Sequence, residues 1–160
     1  MTFRVGIGYD IHPLASGRPL VLGGVVFESR VGLMGHSDAD VVLHALMDAM
    51  LGATGLGDIG RHFPPSDERF RNVSSLSLLD QVYTLTSDEG YTACNADIVV
   101  VCEMPKIGPR APEMGRKIAH ILRVETAVVS IKATTNEGLG PEGRGEAISS
   151  QAVVLMERRE

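Results

Sequence analysis

The 160-residue sequence contains no tryptophan, only two cysteines and few aromatic residues (4%). A surface that stacks nucleobases on aromatic rings is therefore not expected. Cys94 and Cys102 form no C-x-x-C pair, and they lie too far apart along one predicted strand to bridge each other. This usage fits a reducing compartment. We expect a cytoplasmic protein, or one in a plastid-like compartment after processing.

Positive charge and long apolar runs are also lacking. The net charge is −5, which argues against a broad basic surface for nucleic acid or an anionic membrane. No stretch reaches the length of a membrane span, and Asp10 interrupts the apolar run that a signal peptide would need. The length and composition predict one domain over residues 1–160. A polyanionic ligand would need metal ions or local cations to offset the overall charge.

The order of apolar runs, glycines and prolines predicts a fold of the α/β or α+β class, with a single mixed sheet packed against helices. Strands are predicted over 3–11, 96–102, 127–133 and 147–156, with a hairpin over 19–27 that turns at Gly23 and Gly24. Helices are predicted over 38–51, over 75–88, and from Pro109 and Pro112 to about residue 122. Ser37 is the expected N-cap of the first helix.

Alternation along the first strand separates two faces. We expect the apolar face to lie in the core: Phe3, Val5, Ile7, Tyr9 and Ile11. The other face carries Gly6 and Gly8, then Asp10 and His12. A carboxylate and an imidazole side by side suit Zn²⁺, although a polar strand end before a loop explains the pair as well.

A polar stripe on the first predicted helix supplies a further candidate ligand. Asp40, His44 and Asp48 recur every four residues and share one face. His44 would complete a three-ligand site with Asp10 and His12, and such a site leaves the fourth zinc position open for catalysis. Asp48 or Asp40 would orient the imidazole of His44. A solvated polar face is the alternative, but apolar residues surround the stripe.

Several loops carry residues suited to phosphate. His36 and Ser37 precede the first helix, whose N-terminus attracts anions. The segment 132–137 follows a predicted strand and combines lysine with two hydroxyl groups and a carboxylate, and the segment 104–106, which also contains a lysine, follows the other long strand in the same manner. Asp58 lies between glycines, where ordinary turn chemistry explains it equally well.

Eight segments, in order along the chain, together resemble the 2-C-methyl-D-erythritol 2,4-cyclodiphosphate synthase family. They are GYDIH (8–12), GHSDAD (35–40), HALMDA (44–49), GDIG (57–60), FP (63–64), PKI (105–107), KATTNE (132–137) and GRGE (143–146). The resemblance runs from about Arg4 to Met156.

This resemblance implies a metal-dependent phosphorus–oxygen lyase in the non-mevalonate route to isoprenoid precursors. The 2-phosphate of 4-diphosphocytidyl-2-C-methyl-D-erythritol 2-phosphate would attack the β-phosphorus, giving the cyclic diphosphate and CMP. It also implies a homotrimer with the sheets facing the threefold axis and active sites at subunit interfaces. The partners would then be the small-molecule substrate and two further copies of the chain, with neither nucleic acid nor membrane.

The resemblance also assigns roles to residues. Asp10, His12 and His44 would hold one Zn²⁺ per subunit, and Glu137 would help hold a Mg²⁺ or Mn²⁺ that bridges the substrate phosphates. His36 and Thr135 would stabilise the transition state, and Asp58 would hold the methylerythritol hydroxyls. The remaining substrate-binding residues would be Ser37, Ile59, Gly60, Phe63, Asp67, Cys102, Met104, Pro105, Lys106, Ile107, Ala133, Thr134 and Arg144. Pro141 stands where some relatives carry a phenylalanine beside a channel on the trimer axis.

Two other kinds of protein compete with this hypothesis. A non-enzymatic trimeric sensor that binds CDP-like nucleotides would explain Lys106 and Thr134, but it gives no reason for Asp10, His12 and His44. A structural zinc protein normally uses four protein ligands, usually with cysteines, and neither cysteine lies near the three candidates in the sequence.

Overall fold

Five strands form a mixed sheet in the computed structural model, which describes residues 2–159. The described residues contain seven strands in all, of which two lie outside this sheet: β1 (Thr2–Ser16), β2 (Leu20–Leu22), β3 (Val25–Phe27), β4 (Val31–Leu33), β5 (Tyr91–Val101), β6 (Val129–Thr134) and β7 (Ala147–Arg158). The sheet order is β4-β1-β7-β5-β6, in which only the β5–β6 pair is parallel. The mixed sheet is confirmed, and β2 and β3 form a separate hairpin around Gly23 and Gly24, as predicted.

The helices are α1 (Val41–Thr54), α2 (Ile59–His62), α3 (Ser75–Asp88), α4 (Ala111–Leu122) and α5 (Gly140–Gly143). Helix α1 crosses β1 and β7, α3 packs against α1 and β5, and α4 packs against α3 and β6. The bounds predicted for α3 are confirmed. None of the helices described between residues 2 and 159 has the length and apolar character needed to cross a membrane. Cys94 and Cys102 are both free, as expected.

Helix α1 begins three residues later than predicted because Asp40, rather than Ser37, is its N-cap. The Asp40 carboxylate accepts hydrogen bonds from the amides of Val42 and Leu43 in the first turn of α1. It also accepts from the amides of Gly23 and Gly24, at 2.9 and 2.7 Å. Burial raises the pKa of this fully buried group, and although the amide donors offset part of the rise, the pKa still reaches about 6. One carboxylate therefore joins the hairpin turn to the start of α1.

The apolar face of β1 does not lie in the core, so that prediction is wrong. Ile7 is 71% exposed and Val5 is 68% exposed, and Phe3, Tyr9 and Ile11 are exposed as well. The opposite face of β1, which carries the glycines, packs against α1.

The reversal has a steric cause. A Cβ atom on Gly6 would lie 1.8 Å from the carbonyl oxygen of Ala49, and one on Gly8 would lie 1.9 Å from that of Ala45. The backbone of α1 therefore rests directly on the backbone of β1, which only residues without a side chain allow. The helix brings its own apolar residues to the core, and the apolar face of β1 is left on the outside of the sheet.

We expect Gly6→Ala to lower the free energy of unfolding by about 1–3 kcal/mol, because the new methyl group must push α1 off the sheet. Gly52→Ala is the matched control, since Gly52 lies in α1 and a Cβ atom there would have no neighbour within 4 Å. It should raise the free energy of unfolding by about 0.5–1 kcal/mol through helix propensity. Urea denaturation measures both. Changes of the same sign would contradict the steric argument.

Candidate functional site

Three predicted metal ligands converge between β1 and α1. Asp10 Oδ2 lies 2.9 Å from His12 Nε2 and 3.0 Å from His44 Nδ1, and the two nitrogens are 3.4 Å apart. A tetrahedral ion with bonds of roughly 2.0–2.1 Å holds its ligand atoms roughly 3.3 Å from one another. The arrangement of one carboxylate and two imidazoles therefore fits a single tetrahedral cation such as Zn²⁺.

The charges of this cluster also favour a cation. Burial alone would raise the pKa of Asp10, but hydrogen bonds and charge from His12 and His44 outweigh it and bring the pKa well below its usual range. For His12, burial lowers the pKa, but the Asp10 carboxylate raises it by more. An ionised carboxylate therefore faces two imidazole nitrogens.

The second nitrogen of the His44 ring is held by hydroxyl groups. His44 Nε2 lies 3.1 Å from Ser37 Oγ and 3.1 Å from Ser75 Oγ, and Ser75 Oγ in turn donates to the Asp38 carboxylate. With the Nε2–H donated to a hydroxyl, the ring presents Nδ1 to Asp10. Such partners fix the orientation of a metal-binding histidine.

The predicted partners of His44 have other roles. Asp48 accepts a hydrogen bond from the Ile59 amide at 2.8 Å and so fixes the start of α2. Burial raises the pKa of Asp48. Asp40 binds the hairpin and the first turn of α1. Two hydroxyls therefore stand where we expected a carboxylate of Asp40 or Asp48 to orient the His44 ring, and no local sequence pattern indicates the one on Ser75.

A cavity of about 240 Å³ opens beside the cluster. Its lining includes five of the predicted catalytic or substrate-binding residues: His36, Ser37, Ile59, Gly60 and Phe63. It also includes three residues that sequence reasoning missed, namely Pro65, Phe70 and Leu78. The cavity thus combines imidazole and hydroxyl groups with an apolar wall.

Two predicted acidic residues near this cavity are bound to local partners. The Asp58 carboxylate caps α2 by accepting from the Arg61 amide at 3.0 Å. The Asp67 carboxylate pairs with Arg69 at 2.6 Å, while the Asp67 carbonyl oxygen lies 3.1 Å from His36 Nε2. Neither side chain is among the residues that line the cavity.

A second cavity, of about 480 Å³, lies where β5 and β6 end side by side. The predicted residues that line it are Cys102, Pro105, Lys106, Ile107, Ala133, Thr134 and Thr135. Thr135 donates to the Glu137 carboxylate at 3.0 Å, which places that acid beside the cavity. Met104 is exposed and borders a neighbouring cavity instead. Arg144 is bound to Glu146 at 2.9 Å.

The two cavities lie at the same end of the sheet. Asp10 is in register with Ser150 on β7, Ser150 with Val100 on β5, and Val100 with Ala133 on β6. Three strand spacings, roughly 14 Å, therefore separate the metal ligands from the lining of the second cavity. Over the described part of the chain, the two cavities share no lining residue.

Comparison with known proteins gives full-length matches. The model of the YgbB family matches residues 3–157. The 2-C-methyl-D-erythritol 2,4-cyclodiphosphate synthase of Symbiobacterium thermophilum is 58% identical over 97% of this chain and 99% of its own length. The IspF of Plasmodium falciparum, solved as a CDP complex, matches with a TM-score of 0.86 and 32% identity over 99% of this chain and 97% of its own.

A bifunctional protein contains the same fold as one part. The IspDF of Campylobacter jejuni matches 99% of this chain with a TM-score of 0.95 and 39% identity, and this chain spans 43% of that longer protein. The sequence comparison and the structure comparison therefore both match nearly the full length of this chain. The chain belongs to the YgbB family.

Proposed function

We propose that the chain is a 2-C-methyl-D-erythritol 2,4-cyclodiphosphate synthase. The observation that carries this proposal is the cluster of Asp10, His12 and His44 beside a cavity, in a chain 58% identical to a protein of that name. The 2-phosphate of 4-diphosphocytidyl-2-C-methyl-D-erythritol 2-phosphate attacks the β-phosphorus. A new P–O bond closes the ring, and the P–O bond to CMP breaks.

The nucleophile of this reaction is already an anion, so no strong general base is needed. The barrier comes from bringing negative charges together and aligning the attack in line. The chain's residues accordingly bind and orient the substrate. His36 lines the cavity beside the cluster and would stabilise the transition state together with Thr135. Asp58 would hold the methylerythritol hydroxyls.

Two divalent ions complete the proposal. Asp10, His12 and His44 would hold one Zn²⁺ per subunit, and the spacing of their ligand atoms supports that choice. When bound, zinc supplies a Lewis acid that lowers the negative charge on a phosphate oxygen. Glu137, beside the second cavity, would help hold Mg²⁺ or Mn²⁺, because a carboxylate oxygen suits such hard cations.

The second cavity would bind the cytidine diphosphate part of the substrate. The family resemblance implies an active site at a subunit interface, so the first cavity of one subunit would act together with the second cavity of a neighbour, and cavities that share no lining residue are compatible with this. The exposed apolar face of β1 supports a homotrimer whose sheets face the threefold axis, since a patch of that kind marks an association surface. Arg144 would contribute to anion binding near the axis. A single catalytic domain over 1–160 and a cytoplasmic location stay predictions.

The two competing hypotheses find no support. A nucleotide sensor would leave the cluster of Asp10, His12 and His44 without a role, and relatives that are 52–58% identical to this chain are named as synthases. A structural zinc site would need a fourth protein ligand, and the cluster contains three among the residues described.

The direct test is turnover. Purified protein with Zn²⁺ and Mg²⁺ should convert the diphosphocytidyl substrate to equal amounts of cyclic diphosphate and CMP, followed by ³¹P NMR and chromatography. CMP release without a cyclic product would contradict the cyclisation, and binding of CDP without turnover would favour the sensor.

We expect His44→Ala to lose zinc and activity while the fold is kept, because the ring lies at the edge of the core and two ligands do not hold zinc tightly. Elemental analysis should fall from about one Zn²⁺ per subunit to well below that, with an unchanged circular dichroism spectrum. His120→Ala, on the exposed side of α4, is the control and should keep both the zinc and the activity. A full zinc complement in the His44 variant would refute the ligand assignment.

Glu137→Gln should raise the Mg²⁺ concentration needed for half-maximal activity by about tenfold or more and leave the zinc content unchanged. The amide keeps the size of the side chain but loses the charge that a hard cation prefers. Titration of activity against Mg²⁺ measures the effect, and Glu125→Gln at an exposed position provides the control. Equal Mg²⁺ curves for the Glu137 variant and the wild type would remove Glu137 from the metal site.

A further inference from the structure

We infer that Arg18 is a positioning residue for this reaction: it holds the peptide segment that carries His36 and Ser37, and thereby fixes where the His36 ring stands. The inference rests on the proposed function, because it concerns how the His36 side chain is presented to the substrate.

The guanidinium of Arg18 forms hydrogen bonds with the residues on both sides of His36. Nη1 donates to the carbonyl oxygen of Gly35 at 3.0 Å, and Nη2 donates to that of Ser37 at 2.6 Å. The two acceptors belong to the residues on either side of His36, so one rigid fork fixes the peptide on both sides of it. Hydrogen bonds from a charged donor are about twice as strong as neutral ones.

The segment around His36 depends on such ties because it belongs to no helix or strand. Residues 34–40 lie between β4 and α1, so no ladder of backbone hydrogen bonds holds them. The carbonyl oxygen of His36 accepts from the Asn72 amide at 2.8 Å, and the ring of His36 contacts the Asp67 carbonyl oxygen through Nε2 at 3.1 Å. Arg18 therefore supplies both side-chain bonds to the carbonyls that flank His36.

Arg18 itself is held in place by close backbone packing. It lies in the turn between β1 and β2, and a Cβ atom on Gly32 of β4 would lie 2.5 Å from the Arg18 carbonyl oxygen and 2.2 Å from that of Pro19. The turn thus rests directly on β4. A guanidinium that starts from a fixed backbone and ends on two carbonyls can transmit a defined position to His36.

One atom of the Arg18 side chain lowers the stability of the fold. Its Nε atom is buried and has no hydrogen-bond partner among the described residues, and an unsatisfied buried donor lowers stability. Ser37, whose carbonyl Arg18 holds, also contacts the His44 ring through Oγ at 3.1 Å. The gain from this arginine therefore lies in the geometry of the loop that joins the cavity to the metal ligands.

The experiment compares R18A, R18K, H36A and the double variant R18A/H36A with the wild type, using CMP release to obtain kcat and KM. A misplacement of about 1 Å can cost roughly 100-fold in rate, so we expect R18A to lower kcat about 10- to 100-fold with a smaller change in KM. Lysine can reach one carbonyl but cannot form the fork, so R18K should resemble R18A. Zinc content should remain that of the wild type, because β1 and α1 hold the three candidate ligands. Loss of zinc in R18A would show that Arg18 acts on His44 through Ser37, and it would overturn the inference. R116A, on the exposed side of α4, is the matched arginine control.

The double variant separates positioning from a general structural role. If Arg18 acts through His36, R18A should change kcat less than twofold once His36 is already alanine. If the kcat losses of R18A and H36A multiply in the double variant, the inference is wrong. The same holds if R18A keeps the wild-type kcat. Neither result affects the proposed function. If R18A fails to fold, R18K and R18K/H36A provide the same comparison. Absence of turnover in the wild type would instead overturn the proposed function and this inference with it.

Discussion

The contact between the backbone of α1 and the bare backbone of β1 is the constraint on which the site depends. Gly8 precedes Asp10 on the same face of the strand, and Ala45, whose carbonyl oxygen it meets, follows His44 directly. A side chain between these two elements would separate the candidate ligands on the strand from the candidate ligand on the helix. Ligand atoms within 3.4 Å of one another are therefore possible because two glycines leave out their side chains.

Polar contacts hold the start of α1 in place, and packing against β1 holds its middle. Asp40 binds the hairpin turn and the first helical turn, and Asp38 binds Ser75, which faces His44. Buried carboxylates that accept several amide or hydroxyl donors are tolerable in the interior, whereas unpaired ones are not. The same polar network thus caps a helix, attaches a hairpin and orients a candidate metal ligand.

The sequence was most informative where the chemistry lies close together along the chain. Asp10 and His12 are two residues apart on a strand, and the structure brings His44 to them as the helical stripe suggested. Alternation along β1 identified its two faces but not which one is buried, because the partner of the glycine face is a helix backbone rather than a set of side chains. Ser37 and Asp40 are both residue types that cap helices, and the bonds from the hairpin amides that further hold Asp40 come from a distant part of the chain, which a local pattern cannot include.

Other features left no local signal at all. Ser75 reaches His44 from 31 residues away, and Arg18 reaches Gly35 and Ser37 across 17 and 19 residues. Each is an ordinary residue in its own neighbourhood, a serine at a helix start and an arginine in a turn. β4, with only three residues, is too short to show a periodicity. These assignments require the tertiary structure.

The pairing of β1 with β7 also has a consequence during translation. Asp10 lies opposite Ser150, so the strand that presents two candidate metal ligands gains its long partner only after about 140 further residues have been synthesised. At synthesis rates of roughly 5–20 residues per second, that interval is roughly 7–30 s. Throughout it, β1 can pair with no more than the three residues of β4, and its apolar side remains uncovered. The nascent chain therefore carries its most exposed hydrophobic strand from the earliest stage of synthesis, and the sheet that supports the candidate ligands is completed only by the last strand to be made.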